Sequence, residues 1–257
     1  FQILIVVFLA MKNILLIVSI LFVFSCEKLE EQTEFLEYDN YMKDGWIAFQ
    51  ASEWDIASDL FNIGLNQASS NHSEAYSGLG WTYLYKANRS YGESNKSLRD
   101  SLRSLAGISF SNAEIETKYD FDIWSDILAG MTYIYSYRAD SAWYMYYNDI
   151  NFQFDTNLED EMIYYSQKTI NKSDELFEFE SSLDSLYDFQ FDSCVNRDNI
   201  RYLRAKTFLR LDQIDNMLVE LNTITTYDCS AIDTLISIEQ GIDCLNKLSN
   251  TIISCQQ

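Results

Sequence analysis

From about Tyr41 onward, apolar residues recur three and four positions apart, the spacing of a helix with one buried face. In "SLRDSLRSL" this spacing puts Leu98, Leu102 and Leu105 on one predicted helical face. Further helices are predicted at about Leu158 to Ile170, from near Asp198, where Asn196 or Asp198 supplies the cap, and at Leu235 to Asn246. The intervening polar stretches, Asn88 to Asn95, "NDINFQFDTNLED" and "LYDFQFDSCVNRDN", read as connections. The last two exceed the usual length between helices and are expected to carry specificity. All-β folds need turns rich in Gly and Pro. This chain of 257 residues has eight glycines and no proline, so the predicted class is all-α.

The pattern also repeats itself. In "YSGLGWTY", Tyr76, Leu79, Gly80 and Tyr83 stand at the spacing aromatic-x2-Leu-Gly-x2-Tyr. Upstream, Gly45 is followed twelve residues later by Ala57, then by Phe61 and Gly64; Gly45 and Gly80 lie 35 residues apart. Downstream, Gly130 and Tyr133 are followed by Ala142 and Tyr146 at the same offsets. Ala205 and Phe208 begin a last unit, whose second helix, with Met217 and Leu221, is degenerate. Small residues let two helices approach, and a neighbouring aromatic fills the space beside the contact. A lone hairpin leaves an apolar face uncovered, so such units stack. These residues and the near-34-residue period resemble the tetratricopeptide repeat, although no unit ends in that repeat's proline. The resemblance implies an α-solenoid of stacked antiparallel helix hairpins over residues 41–257, closed by C-terminal capping helices. An ordinary helical bundle is the alternative.

The start of the chain has a different character. Read from Met11, Lys12 gives a positive start, Ile14 to Phe24 an apolar core and Ser25 a small residue before Cys26, the layout of a secretory signal. Val23-Phe24-Ser25-Cys26 resembles the lipobox of bacterial lipoproteins, which implies that Cys26 is lipidated and becomes the mature N-terminus. The expected organisation is an upstream extension over 1–10, a signal peptide over 11–25, a tether over 26–40 and the helical domain after it. An uncleaved anchor is the competing reading. It is weakened by Lys12 and Asn13, and by the charged "EKLEE" that follows.

Charge then limits the partners. Acids outnumber bases 39 to 18, and removing residues 1–25 moves the formal charge from −21 to −22. Such a surface repels nucleic acid and anionic lipid, so membrane attachment is expected through the lipid. With Cys26 assigned to lipid, Cys194, Cys229, Cys244 and Cys255 form an even set in a compartment where disulfides persist. Three pairings are open, and reduced buried thiols are the alternative. No metal site is expected: the acids around Asp155 lack the mid-loop glycine and ligand spacing of a calcium loop, and a zinc site lacks closely paired cysteines. His72, the single histidine, reads as a polar turn residue. No nucleophile motif or phosphate-binding glycine loop is present, so neither catalysis nor a cofactor is expected. The resemblance implies an outer-membrane lipoprotein of the bacterial cell envelope, periplasmic or surface-exposed, that serves as a protein-interaction scaffold. An accessory subunit of an envelope machine for barrel assembly or glycan uptake, and a glycan-capturing lipoprotein using its Tyr and Trp faces, are the alternatives.

Overall fold

The computed structural model describes residues 37–67, 71–117, 123–148, 155–183, 186–224 and Leu245. Cys26 and its lipobox, Cys229, Cys244, Cys255 and the helix expected at Leu235 to Asn246, apart from Leu245, lie outside them. The described chain is all-helical: α1 (residues 37–50), α2 (Trp54–Leu65), α3 (Ser73–Arg89), α4 (Lys96–Glu116), α5 (Trp124–Asn148), α6 (Thr156–Leu183), α7 (Arg197–Arg210) and α8 (Ile214–Thr223). An isolated antiparallel bridge, Asp188 to Asn196, is the β pairing among the described residues. No described helix is long and apolar enough to cross a membrane. Helix α1 starts inside the segment expected to be tether, and Tyr38, at its beginning, is buried in the core.

Consecutive helices pair as hairpins, α3 with α4, α5 with α6 and α7 with α8. Each following hairpin packs its first helix on the previous second helix, α3 on α2, α5 on α4 and α7 on α6. The first helices also touch one another, α3 against α5 and α5 against α7. Helices α1 and α2 meet where Phe61 of α2 lies against Gly45 of α1.

Aromatic rings seated on glycines set these distances. A Cβ at Gly45 would lie 2.7 Å from the Phe61 ring, and one at Gly78 of α3 would lie 2.5 Å from the same ring, so Phe61 fills the space between α1 and α3. Phe110 of α4 does the same one hairpin later, between Gly80 of α3, where a Cβ would stand 2.7 Å away, and Gly130 of α5. Both rings are fully buried. The first and fourth hairpins share a turn. In each, a residue in the left-handed region, Ser52 (φ 61°) or Asp212 (φ 55°), follows the first helix. The amide after it reaches back five residues, Glu53 to the Ala48 carbonyl and Gln213 to the Phe208 carbonyl, both at 2.9 Å. That double closure is the usual helix C-terminal motif, made here without glycine.

Two expectations are corrected. Gly130 and Ala142 with Tyr146 do not belong to two helices, because α5 runs unbroken for 25 residues and carries all of them. Its partner α6 spans 28 residues, against 12 in α2, so the third hairpin outgrows the short period read from Gly45 and Gly80. On α4, Leu102 is buried, whereas Leu98 and Leu105 are 53% and 41% exposed. The core face of α4 is Leu102, Ala106, Ser109, Phe110 and Ala113.

Candidate interaction face

Helices α1, α3, α5 and α7 bring together Trp46 and Phe49, Trp81 and Tyr85, Tyr133 and Tyr137, and Tyr202 and Lys206. The connection between α6 and α7 lies across the first part of this row, as a strap of residues 186–196. Its Phe189 ring is buried and stacks on Trp81 at 4.4 Å. Phe191 lies parallel to Trp46, with ring centroids 3.8 Å apart and planes 3° from coplanar. Between the two, the Phe49 ring meets Phe189 edge-on at 6.1 Å and Tyr85 at 4.9 Å.

The strap holds itself in a tight hairpin. Phe189 N–H donates to the Val195 carbonyl at 2.9 Å, and Arg197 N–H to the Tyr187 carbonyl at 3.1 Å. Asp192 accepts the Cys194 amide at 2.8 Å and the Tyr85 hydroxyl at 2.5 Å, so one carboxylate both shapes the strap and ties it to α3. Burial, and then the Asp192 carboxylate, push the Tyr85 hydroxyl far above the ordinary tyrosine range, and it stays a donor at any physiological pH. The Tyr187 amide donates to buried Glu180, which Arg197 neutralises at 2.6 Å. Cys194 is disulfide-bonded, and its partner lies outside the described residues. Asn196 ends the strap and caps α7, accepting the Asp198 amide at 3.0 Å, while Asn199 returns a bond to its backbone.

Beneath the strap, Asp126 at the start of α5 is buried beside Tyr187. Burial pushes its carboxyl up to about 7, with the tyrosine hydroxyl acting in the opposite sense. Further along the row, Asp140 of α5 meets Lys206 at 2.8 Å and also Arg210. Burial alone would raise this carboxyl, but the two cations outweigh it and hold it below the usual range. On the far side of α7, buried Arg204 joins three helices. It donates to Glu220 of α8 at 2.7 Å, and to Ser173 and Asp174 of α6 at 2.6 and 2.5 Å.

At the edge of the strap an open cleft of about 520 Å³ remains, lined by Gln50, Ser52, Trp54, Arg89, Gln190 and Asp192 among others. The Arg89 guanidinium lies 5.3 Å from the Trp54 ring centre and pairs with no carboxylate among the described residues. The cleft therefore offers a cation, an indole face and side-chain amides, a set suited to holding an extended peptide or another polar, partly flat ligand.

The repeat-signature residues are spread over α2 and the helices that form this face. Ala57, Phe61 and Gly64 sit on α2 and Tyr76, Leu79, Gly80 and Tyr83 on α3; Gly130, Tyr133, Ala142 and Tyr146 share α5, and Ala205 and Phe208 lie on α7. Of these, Tyr133 belongs to the aromatic row itself, 6.0 Å from Trp81. His72 precedes α3, its Nε2 3.1 Å from the Gln67 carbonyl and its ring edge-on to Tyr38. The strap aromatics were not singled out in the sequence. The available signal was "DFQF", two aromatics two apart inside a long connection.

Comparison with known protein families, curated proteins and solved structures returns no match for this chain.

Proposed function

We propose that this protein is a lipid-tethered scaffold of the bacterial cell envelope, probing a protein partner with the face formed by its first helices, in a tetratricopeptide-like stack. The observation that carries this reading is the repeated seating of Phe61 and Phe110 between glycines of successive first helices. It supports a solenoid logic in which each hairpin covers the next and the first helices line up as one surface. That surface ends in a cleft where Arg89, paired with no carboxylate among the described residues, lies over Trp54, residue types that dominate protein interfaces. Function here is binding, without chemistry or a cofactor, and attachment comes from a lipid on Cys26.

Two measurements test this. Cys26→Ser should abolish lipid attachment and leave the signal segment uncleaved in the intact mass; membrane retention with unchanged processing refutes the lipid anchor. Pull-down from detergent-solubilised envelope should yield a protein that is lost with Arg89→Glu or Trp54→Ala. Recovery unaffected by both variants removes the cleft from the binding face, and a stoichiometric barrel protein among the captured material identifies an envelope-machine subunit.

A second reading rests on a separate observation. Near the α5–α6 tip, Trp143, Tyr144, Tyr147 and Tyr164 are 38–64% exposed, and Trp143 and Tyr147 stand 5.2 Å apart. Exposed aromatic faces of this kind stack on sugars, so retention on a polysaccharide column that disappears with Trp143→Ala would favour glycan capture.

A further inference from the structure

The chain carries 39 acids against 18 bases, yet one place in the fold has the opposite balance. Where α5 lies between α4 and α7, further along the aromatic row than the strap, Arg103, Lys206 and Arg210 gather around one carboxylate, Asp140. Asp140 accepts from Lys206 at 2.8 Å and from Arg210. These three cations against one anion leave a surplus of two positive charges. The next charges along α4, Arg99 and Asp100, cancel each other.

Arg103 is the unusual member. Its guanidinium lies 4.2 Å from the Tyr137 ring centre, and Tyr137 stands one turn before Asp140 on the same face of α5. It pairs with no carboxylate among the described residues, and its Nε, sealed from solvent, has no hydrogen-bond partner. A guanidinium carries five N–H donors in a planar fork. The face of the Tyr137 ring attracts the charge but offers those donors no oxygen, and a buried donor without an acceptor is costly.

The two cations of α7 are held by Asp140 but not saturated by it. Lys206 spends one of its three N–H bonds on that carboxylate. Burial holds the Lys206 ammonium below the usual lysine range, and the charges of Arg210 and Arg103 push the same way against Asp140. A second anion would relieve this repulsion. The Lys206 and Asp140 side chains are 28% and 32% exposed, so a solute reaches them from solvent.

The acidity of the whole chain does not cancel the surplus. Acids beyond about 8 Å are screened at physiological ionic strength, whereas these cations act at contact distance. A surplus of two charges selects a dianion. A carboxylate would leave one charge over. A phosphate group brings close to two negative charges near neutral pH, and its oxygens face several directions, matching donors that come from α4 on one side and α7 on the other. We propose that Arg103, Lys206 and Arg210 form an oxyanion site that takes a phosphate group, carried by inorganic phosphate or by a phosphate monoester. The site goes beyond the scaffold reading and needs neither its partner nor its lipid.

The test titrates the purified full chain, in a neutral detergent at constant ionic strength and slightly above neutral pH, with sodium phosphate, glycerol 3-phosphate, acetate and chloride, followed by calorimetry. The expected result is one saturable site for a phosphate, weaker binding of acetate and none of chloride. Arg103→Gln and Lys206→Gln should each weaken phosphate binding by at least about tenfold. Arg138→Gln, which removes a cation outside the cluster, should leave it unchanged. Tighter binding of inorganic phosphate assigns the site to the free anion, and tighter binding of glycerol 3-phosphate to a monoester; either sustains it. Thermal unfolding separates binding from a purely structural role. Without phosphate, Arg103→Gln should hold or raise the midpoint, because it removes a charge whose donors lack acceptors; phosphate should raise the midpoint of the parent but not of the variant. The proposal is overturned if neither phosphate binds saturably, if acetate binds as tightly, or if both glutamine variants bind phosphate like the parent. A midpoint lowered in Arg103→Gln by the same amount with and without phosphate also overturns it.

Discussion

Phe110 shows how a single side chain positions three helices. Its ring occupies the room that the absent side chains of Gly80 and Gly130 leave, and no part of it reaches solvent. It cannot move aside for a methyl group at either place. Replacing a helical glycine by alanine ordinarily stabilises by about 0.5–1 kcal/mol; here overpacking, typically about 1–3 kcal/mol, acts in the opposite direction and wins. Gly80→Leu should therefore lower the thermal midpoint, and Gly80→Ala should lower it less, whereas Ser97→Leu on an exposed position should leave it nearly unchanged. A rise for Gly80→Leu would contradict the packing described. Asp126 makes a prediction in pH. Its carboxyl rises from an ordinary 3.8 to about 7 because it is buried, so folding takes up a proton between those values. Its contribution is fully present below about pH 4 and is lost as pH rises toward 7. Asp126→Asn keeps the shape without the charge. Urea unfolding should show the variant equal to the parent near pH 4, and more stable at pH 8 by an amount on the order of 2–4 kcal/mol.

At the scale of elements, the hairpin turns carry a cost that can be removed. Ser52 and Asp212 both adopt positive φ, a conformation that costs a residue with a side chain about 1 kcal/mol or more relative to glycine. Ser52→Gly and Asp212→Gly should each raise the unfolding midpoint, and because the turns lie at opposite ends of the chain the two gains should add. Differential scanning calorimetry of the singles and the double checks this. The same turns show what the sequence made legible. Helix and hairpin were readable from periodicity and from the lack of proline, and Asn196 was readable as a cap. The second hairpin departs from the period because its ring comes 30 residues after Gly80, whereas Phe61 comes 16 after Gly45. The spacing within the helix is preserved, Ala106, Phe110 and Ala113 matching Ala57, Phe61 and Gly64, so the local motif survives where the period does not. Leu98 and Leu105 misled for a different reason: α4 has two apolar stripes, and periodicity cannot say which one faces the molecule's own core. The strap was readable as a long connection expected to carry specificity, but not its burial, which depends on residues more than a hundred positions away.

For the whole molecule, that distance is the important quantity. The tie between Tyr85 and Asp192 spans 107 residues, and Phe189 and Phe191 press on α1 and α3 from the far end of the described chain. A stack in which each hairpin touched only its neighbours would unfold as a string of loosely coupled units, fraying from its ends. Here the strap closes that string on itself, so the first hairpin cannot melt without exposing Phe191, nor the strap leave without uncovering Trp46 and Trp81. The protein should accordingly lose its structure in one cooperative step despite its modular construction. Phe189→Ala, which empties the centre of the closure, should do more than destabilise. It should split the calorimetric transition into two and give the amides of α1 to α3 faster hydrogen exchange than those of α5 and α6. A single, merely shifted transition would mean that the hairpins are already bound to one another strongly enough without it. On this account, deleting α7 and α8 would loosen α1 to α3.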